Sequence, residues 1–190
     1  MKQLKGKRRN MDPLYPFPDF LRNSDLLVDT NFFIDSFSSP ENFANFIKIL
    51  KQNGVEIIGT PFVKYEFLRS RTIDVVKIKE SFYNELVGTN LSFDINTEKE
   101  MVGLIEEYKQ YMEGISVVDL ILGCFLKKFE SRLYLLTRDH KDFPTSIFKR
   151  KYIFNIEGVR DIKTYGVYTY GPPARNERDK HERIGEDIPF

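Results

Sequence analysis

Short apolar runs alternate along this sequence with segments whose apolar residues recur at helical spacing. This alternation limits the fold more than any other feature. The apolar runs that precede and follow the predicted helices include residues 26–28, 55–59 and 133–137. Because parallel neighbouring strands need a crossover connection, usually a helix, this order predicts an α/β fold with a mostly parallel sheet.

Several predicted helices have clear start signals. Ser39-Pro40 and Thr60-Pro61 each combine a residue that can cap a helix with a proline suited to the first helical position. Ser116 opens a mostly apolar helix that extends to Phe129. The remaining predicted elements are helices at 73–87 and at 97–112, the latter opened by a Thr97/Glu100 capping box, and strands at 152–156 and 167–170.

The length of 190 residues suits one compact domain with extensions. We predict an N-terminal extension at 1–24, a single domain at 25–157 and a C-terminal extension at 158–190. Gly171-Pro172-Pro173 and the charged residues after it have little to bury, which is typical of a tail.

Cysteine content and hydropathy indicate the cellular compartment. Cys124 is the only cysteine, so no intrachain disulfide can form, and the chain suits a reducing cytosol. Residues 11–19 contain prolines and aspartates where a signal peptide needs an apolar core. Charges interrupt every apolar run before it reaches the roughly 20 residues that cross a bilayer. We therefore expect a cytoplasmic protein that does not enter a membrane.

The charge balance excludes a strongly basic nucleic-acid binder. The chain has 29 Lys and Arg against 28 Asp and Glu, a formal net charge of +1. Local basic clusters occur at 5–9, 127–128 and 149–151, and each could equally be a solvated surface. Any contact with nucleic acid must therefore be local.

Acidic residues follow the predicted strands. Asp29 and Asp139 come directly after apolar runs, Glu66 lies on the helix after the second run, and Asp119 lies in the first turn of an apolar helix. In open α/β sheets the functional crevice lies beyond the carboxyl ends of the strands. When several carboxylates lie together there, each loses hydration and is repelled by the others. A bound cation offsets both energetic costs. Since no histidine or cysteine accompanies them, Mg²⁺ or Mn²⁺ fits better than zinc.

Four short motifs in order resemble those of PIN-domain nucleases. They are Val28-Asp29-Thr30-Asn31, Glu66 on its helix, Val118-Asp119-Leu120-Ile121, and Leu136-Thr137-Arg138-Asp139 followed by Lys141-Asp142-Phe143. The resemblance covers about residues 26–157. It implies a three-layer α/β/α fold with a central, mostly parallel sheet, and an endoribonuclease that depends on Mg²⁺ or Mn²⁺.

The resemblance also implies residue roles and partners. Asp29, Glu66, Asp119 and Asp139 would be metal-binding and catalytic, directly or through water. Asn31 and Thr137 match positions that orient a ligand or contact substrate, and Asp142 is a second candidate for the fourth acidic position. Many small members of the family are toxins that pair with an antitoxin protein. The N-terminal and C-terminal extensions depart from that small-toxin pattern, which favours an RNA-processing nuclease as the alternative.

Other functions and simpler roles remain open. A non-catalytic RNA- or protein-binding module would be expected to have lost acidic residues, and a haloacid-dehalogenase-like phosphatase needs an acid where Asn31 stands. A flap-type DNA nuclease is weaker still, because the sequence shows no helical arch or helix-hairpin-helix segment.

Each acidic residue also has a structural alternative. Asp29 could cap a strand end, Asp119 could form a capping box with Ser116, and Glu66 could pair with Lys64 or Arg69. Asp139 or Asp142 could simply stabilise a turn through bonds to its own backbone. His140 receives no role.

Two predicted helices suggest self-association. The aromatic segments at 43–50 and 82–86 offer more apolar surface than one small domain needs to bury. We therefore expect a homodimer.

Overall fold

A computed structural model describes residues 17–109, 111, 114–158 and 161–171. The strands are β1 (Asp25–Val28), β2 (Glu56–Gly59), β3 (Thr89–Asn90), β4 (Leu133–Thr137), β5 (Phe148–Glu157) and β6 (Ile162–Tyr170). The helices are α1 (Thr30–Ser38), α2 (Pro40–Gln52), α3 (Pro61–Leu68), α4 (Ile73–Leu86), α5 (Ile95–Glu107) and α6 (Val117–Phe129), with short 3₁₀ turns at Asp19–Leu21 and Glu130–Arg132.

The six strands form one sheet in the order β3-β2-β1-β4-β6-β5. Pairing is parallel from β3 through β4, and β6 is antiparallel to both of its neighbours. Val28 of β1 lies opposite Leu136 of β4. The prediction of an α/β fold with a mostly parallel sheet is therefore confirmed. The carboxyl ends of β1 and β4 lie side by side.

Helices pack on both faces of the sheet. Tyr165 and Tyr168 lie three residues apart on β6, so their side chains point to opposite faces. Tyr165 packs edge-on against Phe32 of α1, whereas Tyr168 packs against Phe143. On the Phe143 side, α6 approaches the aromatic ring of Phe148 closely at Gly123. This arrangement is compatible with a three-layer α/β/α fold.

The start signals of three helices are confirmed. α2 and α3 begin at their predicted prolines, and α6 begins directly after Ser116. The hydroxyls of Thr60 and Ser116 accept hydrogen bonds from backbone N–H groups in the first turn. Ser39 makes no such side-chain bond at the start of α2. It occupies the predicted N-cap position without a capping hydrogen bond from its hydroxyl.

Helix α1 was absent from the predicted elements. Asp29 caps it by accepting a bond from the Thr30 N–H, and the aromatic side chains of Phe32 and Phe33 are fully buried. A chain that enters a helix one residue after a strand leaves no turn signal between the two. The apolar run at 26–28 was therefore assigned to a strand alone, and the apolar residues Phe32, Phe33 and Phe37 after it were not assigned to a helix.

The predicted capping box at the start of α5 was wrong. The helix starts at Ile95, and Asp94 caps it by accepting a bond of 2.8 Å from the Thr97 N–H. Thr97 is buried inside the first turn, where its hydroxyl also donates to Asp94. Asp94 offers a charged acceptor to the positive helix end, so it caps in preference to the neutral threonine.

The domain extends beyond both predicted limits. Strand β6 falls within the segment assigned to the C-terminal extension, but it pairs with β4 and buries Tyr165, Val167 and Tyr168. Leu21, assigned to the N-terminal extension, is also fully buried. The apolar side chains of both segments help to cover the sheet. Without the two segments, part of the sheet would be exposed to solvent. The rest of the two predicted extensions, at 1–16 and 172–190, and the basic cluster at 5–9 lie outside the described residues.

None of the helices in the described part of the chain has the length and apolar character needed to cross a membrane. Cys124 is buried in the core, as expected for a small apolar residue.

The aromatic side chains of α2 are already buried within a single copy of the chain. Phe43 and Leu50 are fully buried and Phe46 nearly so. The apolar surface on which the homodimer expectation rested is therefore smaller than the sequence suggested. What remains is a groove of about 610 Å³ between α2 and α4.

Candidate metal centre

Three predicted acidic residues meet at the carboxyl ends of β1 and β4. Asp29, Asp119 and Asp139 each offer an oxygen, and the three oxygens all lie within 4.8 Å of one another. Asp29 and Asp119 are buried, whereas Asp139 is exposed. We call these three residues the acidic triad. They come from three elements that are far apart in the sequence.

Asp29 is the most enclosed member of the triad. Its position directly after β1 makes it both the end of the strand and the N-cap of α1. Its carboxylate accepts hydrogen bonds from the Thr30 N–H (2.5 Å), the Asn31 amide (2.6 Å) and the Thr137 hydroxyl (2.6 Å). Asp29 therefore caps helix α1, where the sequence suggested only the cap of a strand end, and it also belongs to the triad.

Asp119 lies in the first turn of α6. The Ser116 hydroxyl donates to its carboxylate (2.5 Å) and accepts a bond from its backbone N–H (3.1 Å). The carboxylate stands near the positive end of the helix, which favours a negative charge there. The interaction with Ser116 that the sequence suggested is present, and it leaves Asp119 within the triad.

Crowding and burial make the triad electrostatically costly without a cation. Desolvation by burial, with repulsion from Asp119 and Asp139, raises the pKa of Asp29 to about 7, although hydrogen bonds from Thr137 and Thr30 oppose this rise. Desolvation first, and then the charges of Asp142 and Asp139, raise the pKa of Asp119. A divalent cation would remove both penalties at once, and the all-oxygen donors suit Mg²⁺ or Mn²⁺. The residues therefore fit such a cation.

Asn31 and Thr137 bridge the members of the triad. The Asn31 amide donates to Asp29, to Thr137 (3.1 Å) and, at 3.3 Å, to Asp139. The Thr137 hydroxyl accepts from the Asp139 backbone N–H at 2.9 Å while it donates to Asp29. The two polar residues therefore orient the carboxylates, one of the two roles that the resemblance implied.

Asp142 lies beside the triad but is not part of it. Its side chain is half-buried, and desolvation and Asp139 raise its pKa against the opposing charge of Lys141. Its backbone carbonyl accepts a bond of 2.7 Å from the Tyr108 hydroxyl, which connects the loop to the end of α5. Of the two candidates for the fourth acidic position, Asp139 is the one within the triad.

Glu66 is placed differently from the other predicted ligands. Its half-buried carboxylate accepts a bond of 2.6 Å from the Thr30 hydroxyl, next to Asp29 in the sequence. Among the described residues no ion pair includes Glu66, and Lys64 pairs with Glu80 instead. Glu66 therefore lies at the edge of the site without joining the triad.

Thr30 was not among the predicted site residues, although it connects Asp29 to Glu66. Its backbone N–H donates to Asp29 and its hydroxyl donates to Glu66. The signal that could have found it is the capping arrangement at the start of α1, where the apolar residues Phe33 and Phe37 recur at a spacing of four.

His140 has a structural environment that agrees with the absence of a predicted role. Its Nδ1 lies 2.8 Å from the Tyr168 hydroxyl. Desolvation and the nearby charge of Arg150 lower the pKa of the imidazole. A ring that contacts both the Tyr168 hydroxyl and the Thr164 backbone is a poor candidate for a general base in its present position.

Comparison of this sequence with protein families, with characterised proteins and with solved structures finds no match. The case for a function therefore rests on the motifs and on the geometry of the site.

Proposed function

We propose that this chain is a divalent-metal-dependent endoribonuclease with a PIN-like fold. The observation that carries the proposal is the acidic triad, whose oxygens lie within 4.8 Å of one another at the carboxyl ends of adjacent parallel strands. The order of the four motifs along the chain supports the same assignment.

The residues divide into ligands and orienting groups. Asp29, Asp119 and Asp139 would hold Mg²⁺ or Mn²⁺. Asn31 and Thr137 keep the Asp29 carboxylate aimed at the other two through bonds of 2.6 Å each. When bound, such a cation stabilises negative charge on a scissile phosphate and generates a hydroxide nucleophile from water.

Glu66 would act from the edge of the site, next to Asp29 and outside the triad. The Thr30 hydroxyl holds its carboxylate near Asp29 without bringing it into the triad. This geometry suits contact with the cation through water, one of the two modes the resemblance allows. Burial is only partial at this edge, so solvent can reach it.

The biological role divides into three candidates. A toxin would have an antitoxin protein as partner, an RNA-processing nuclease would act without one, and a binding module would bind RNA without cleaving it. Retention of all four predicted acidic residues favours a nuclease over a binding module. A gene for a small DNA-binding protein directly upstream would favour the toxin.

Cleavage of a fluorescent single-stranded RNA tests the proposal. We expect cleavage with Mn²⁺, none with EDTA, and loss of at least about a hundredfold in Asp29→Asn and Asp119→Asn, because the amide keeps the size of the carboxylate but removes its charge. Circular dichroism checks that both variants fold. The matched control is Asp74→Asn, an exposed aspartate in the first turn of α4. Full activity in Asp119→Asn, or in EDTA, would leave RNA binding without catalysis as the better account.

A further inference from the structure

Asp139 is the exposed member of the acidic triad, and it lies on the loop between β4 and β5. Its direct contacts are few. Its N–H donates to Thr137 (2.9 Å), its carbonyl accepts from the Asp142 N–H (3.1 Å), and its carboxylate accepts only a long bond of 3.3 Å from Asn31. A loop carboxylate with so little support has a large conformational freedom unless its neighbours are held. A metal ligand has to be held close to its productive geometry.

The residue before Asp139 is anchored to α1. Arg138 Nε lies 2.9 Å from Asp35 Oδ2, and because the Nε–H is not aligned for a hydrogen bond, the contact is an ion pair. Asp35 is buried, and the same carboxylate oxygen accepts a bond of 2.6 Å from the fully buried Tyr165 of β6. Arg138 therefore pairs with a carboxylate that is buried and already hydrogen-bonded to Tyr165.

The residue after Asp139 is anchored to β6. His140 Nδ1 lies 2.8 Å from the hydroxyl of Tyr168, whose side chain is 1 % exposed. Gly166 makes this contact possible, because a Cβ at that position would lie 2.5 Å from the Tyr168 ring. The ring also packs against Phe143, at 5.7 Å between centroids.

The two anchors lie on opposite faces of the sheet. Tyr165 and Tyr168 are three residues apart on a regular stretch of β6, so their side chains alternate between the faces. The loop is thus held on one face through Arg138 and on the other through His140. Asp139 is the single residue between them.

We infer that Arg138 and His140 are positioning residues that together hold the Asp139 carboxylate in the triad. Their fixed partners are Asp35 on α1 and Tyr168 on β6. This inference rests on the proposed function in one respect, that the held carboxylate is a metal ligand. The anchoring itself can be measured in the metal-free protein.

The first measurement is amide hydrogen exchange at residues 139–142 without metal. Tyr168→Phe removes the hydroxyl that contacts His140 and keeps the ring, and Arg138→Met removes the charge at a side chain that is 34 % exposed. We expect exchange about five- to tenfold faster in each variant, which corresponds to the loss of one hydrogen bond or buried ion pair. Tyr170→Phe is the matched control, since the hydroxyl of Tyr170, two residues further along β6, bonds to Glu107 of α5 and not to His140.

The second measurement is Mn²⁺ affinity by calorimetry. We expect Tyr168→Phe and Arg138→Met to weaken binding about five- to tenfold, Arg138→Lys to restore part of it, and Tyr170→Phe to leave it unchanged. In an Asp139→Asn background, Tyr168→Phe should cause no further loss of Mn²⁺ affinity. The carboxylate that His140 positions through Tyr168 is absent from that background.

The outcomes separate the inference from the proposed function. Unchanged exchange in both Tyr168→Phe and Arg138→Met overturns the anchoring. Faster exchange with wild-type Mn²⁺ affinity makes the anchors merely structural and also overturns the inference. Faster exchange in both variants of a protein whose wild type binds no Mn²⁺ supports the anchors and contradicts the proposed metal function alone.

Discussion

The hydroxyl of Thr137 at the end of β4 donates a hydrogen bond of 2.6 Å to the carboxylate of Asp29 at the end of β1. The two residues are 108 positions apart in the chain. The parallel pairing of their strands, with Val28 opposite Leu136, brings them together. This contact fixes the most buried carboxylate of the triad, and the predictions below depend on that carboxylate and its neighbours.

Metal should stabilise the protein through the triad. Because a ligand that binds only the folded state stabilises it by mass action, millimolar Mn²⁺ should raise the melting temperature relative to EDTA. Asp119→Asn should lose most of this increase, whereas the surface variant Asp74→Asn should keep it. Identical melting curves of wild type in Mn²⁺ and in EDTA would remove the main physical support for the site.

The stability of the metal-free protein should fall as pH rises through the titration of Asp29. Its pKa of about 7 in the folded chain lies above its usual value of 3.8, so the folded state holds the proton more tightly. Between about pH 4 and pH 7 the unfolded chain therefore loses this proton first, and folding free energy of up to about 4 kcal/mol is lost across that window.

Asp29→Asn isolates this effect. We expect the variant to be more stable than wild type at pH 8 in EDTA, and the difference to shrink towards pH 4. Urea unfolding at both pH values measures it. A variant less stable than wild type at pH 8 would mean that the hydrogen bonds to Asp29 outweigh its electrostatic cost.

The two acidic residues of the β4–β5 loop should differ in importance. Asp139 lies in the triad, whereas the nearby Asp142 does not. Asp139→Asn should therefore reduce RNA cleavage and Mn²⁺ affinity more than Asp142→Asn, by about tenfold or more. Cleavage assays and calorimetry on both variants decide this. A larger loss in Asp142→Asn would assign the fourth acidic position to Asp142.

Self-association should use the groove between α2 and α4. Its apolar lining includes Ile47 and Leu86, with Lys48 and Lys51 on one wall and Glu85 on the other. Opposite charges on the two walls are complementary when a second copy packs by twofold symmetry. We expect a dimer at micromolar concentration and a monomer in Leu86→Glu. Light scattering distinguishes them, and a monomeric wild type would contradict the expected homodimer.

Local signals in the sequence were sufficient for much of the fold. The prolines at the starts of α2 and α3 and the serine before α6 predicted those helices, because a helix end is decided by a few adjacent residues. The three-residue apolar run at 26–28 predicted β1 but not the helix that follows. Asp29 terminates one element and caps the next, and no glycine or proline marks the change.

The sequence by itself determined which acidic residues are candidates, since they lie shortly after apolar runs, on the helix that follows one, or in the first turn of an apolar helix. Only the tertiary structure decided which of them meet. Strand order and register brought Asp29 and Asp139 together, and the position of α6 added Asp119, while Glu66 and Asp142 were left outside. Strand β6, which falls within the segment assigned to the C-terminal extension, supplies the tyrosines that contact His140 and Asp35. Contacts between residues more than a hundred positions apart depend on how the whole sheet pairs, and no local pattern contains that information.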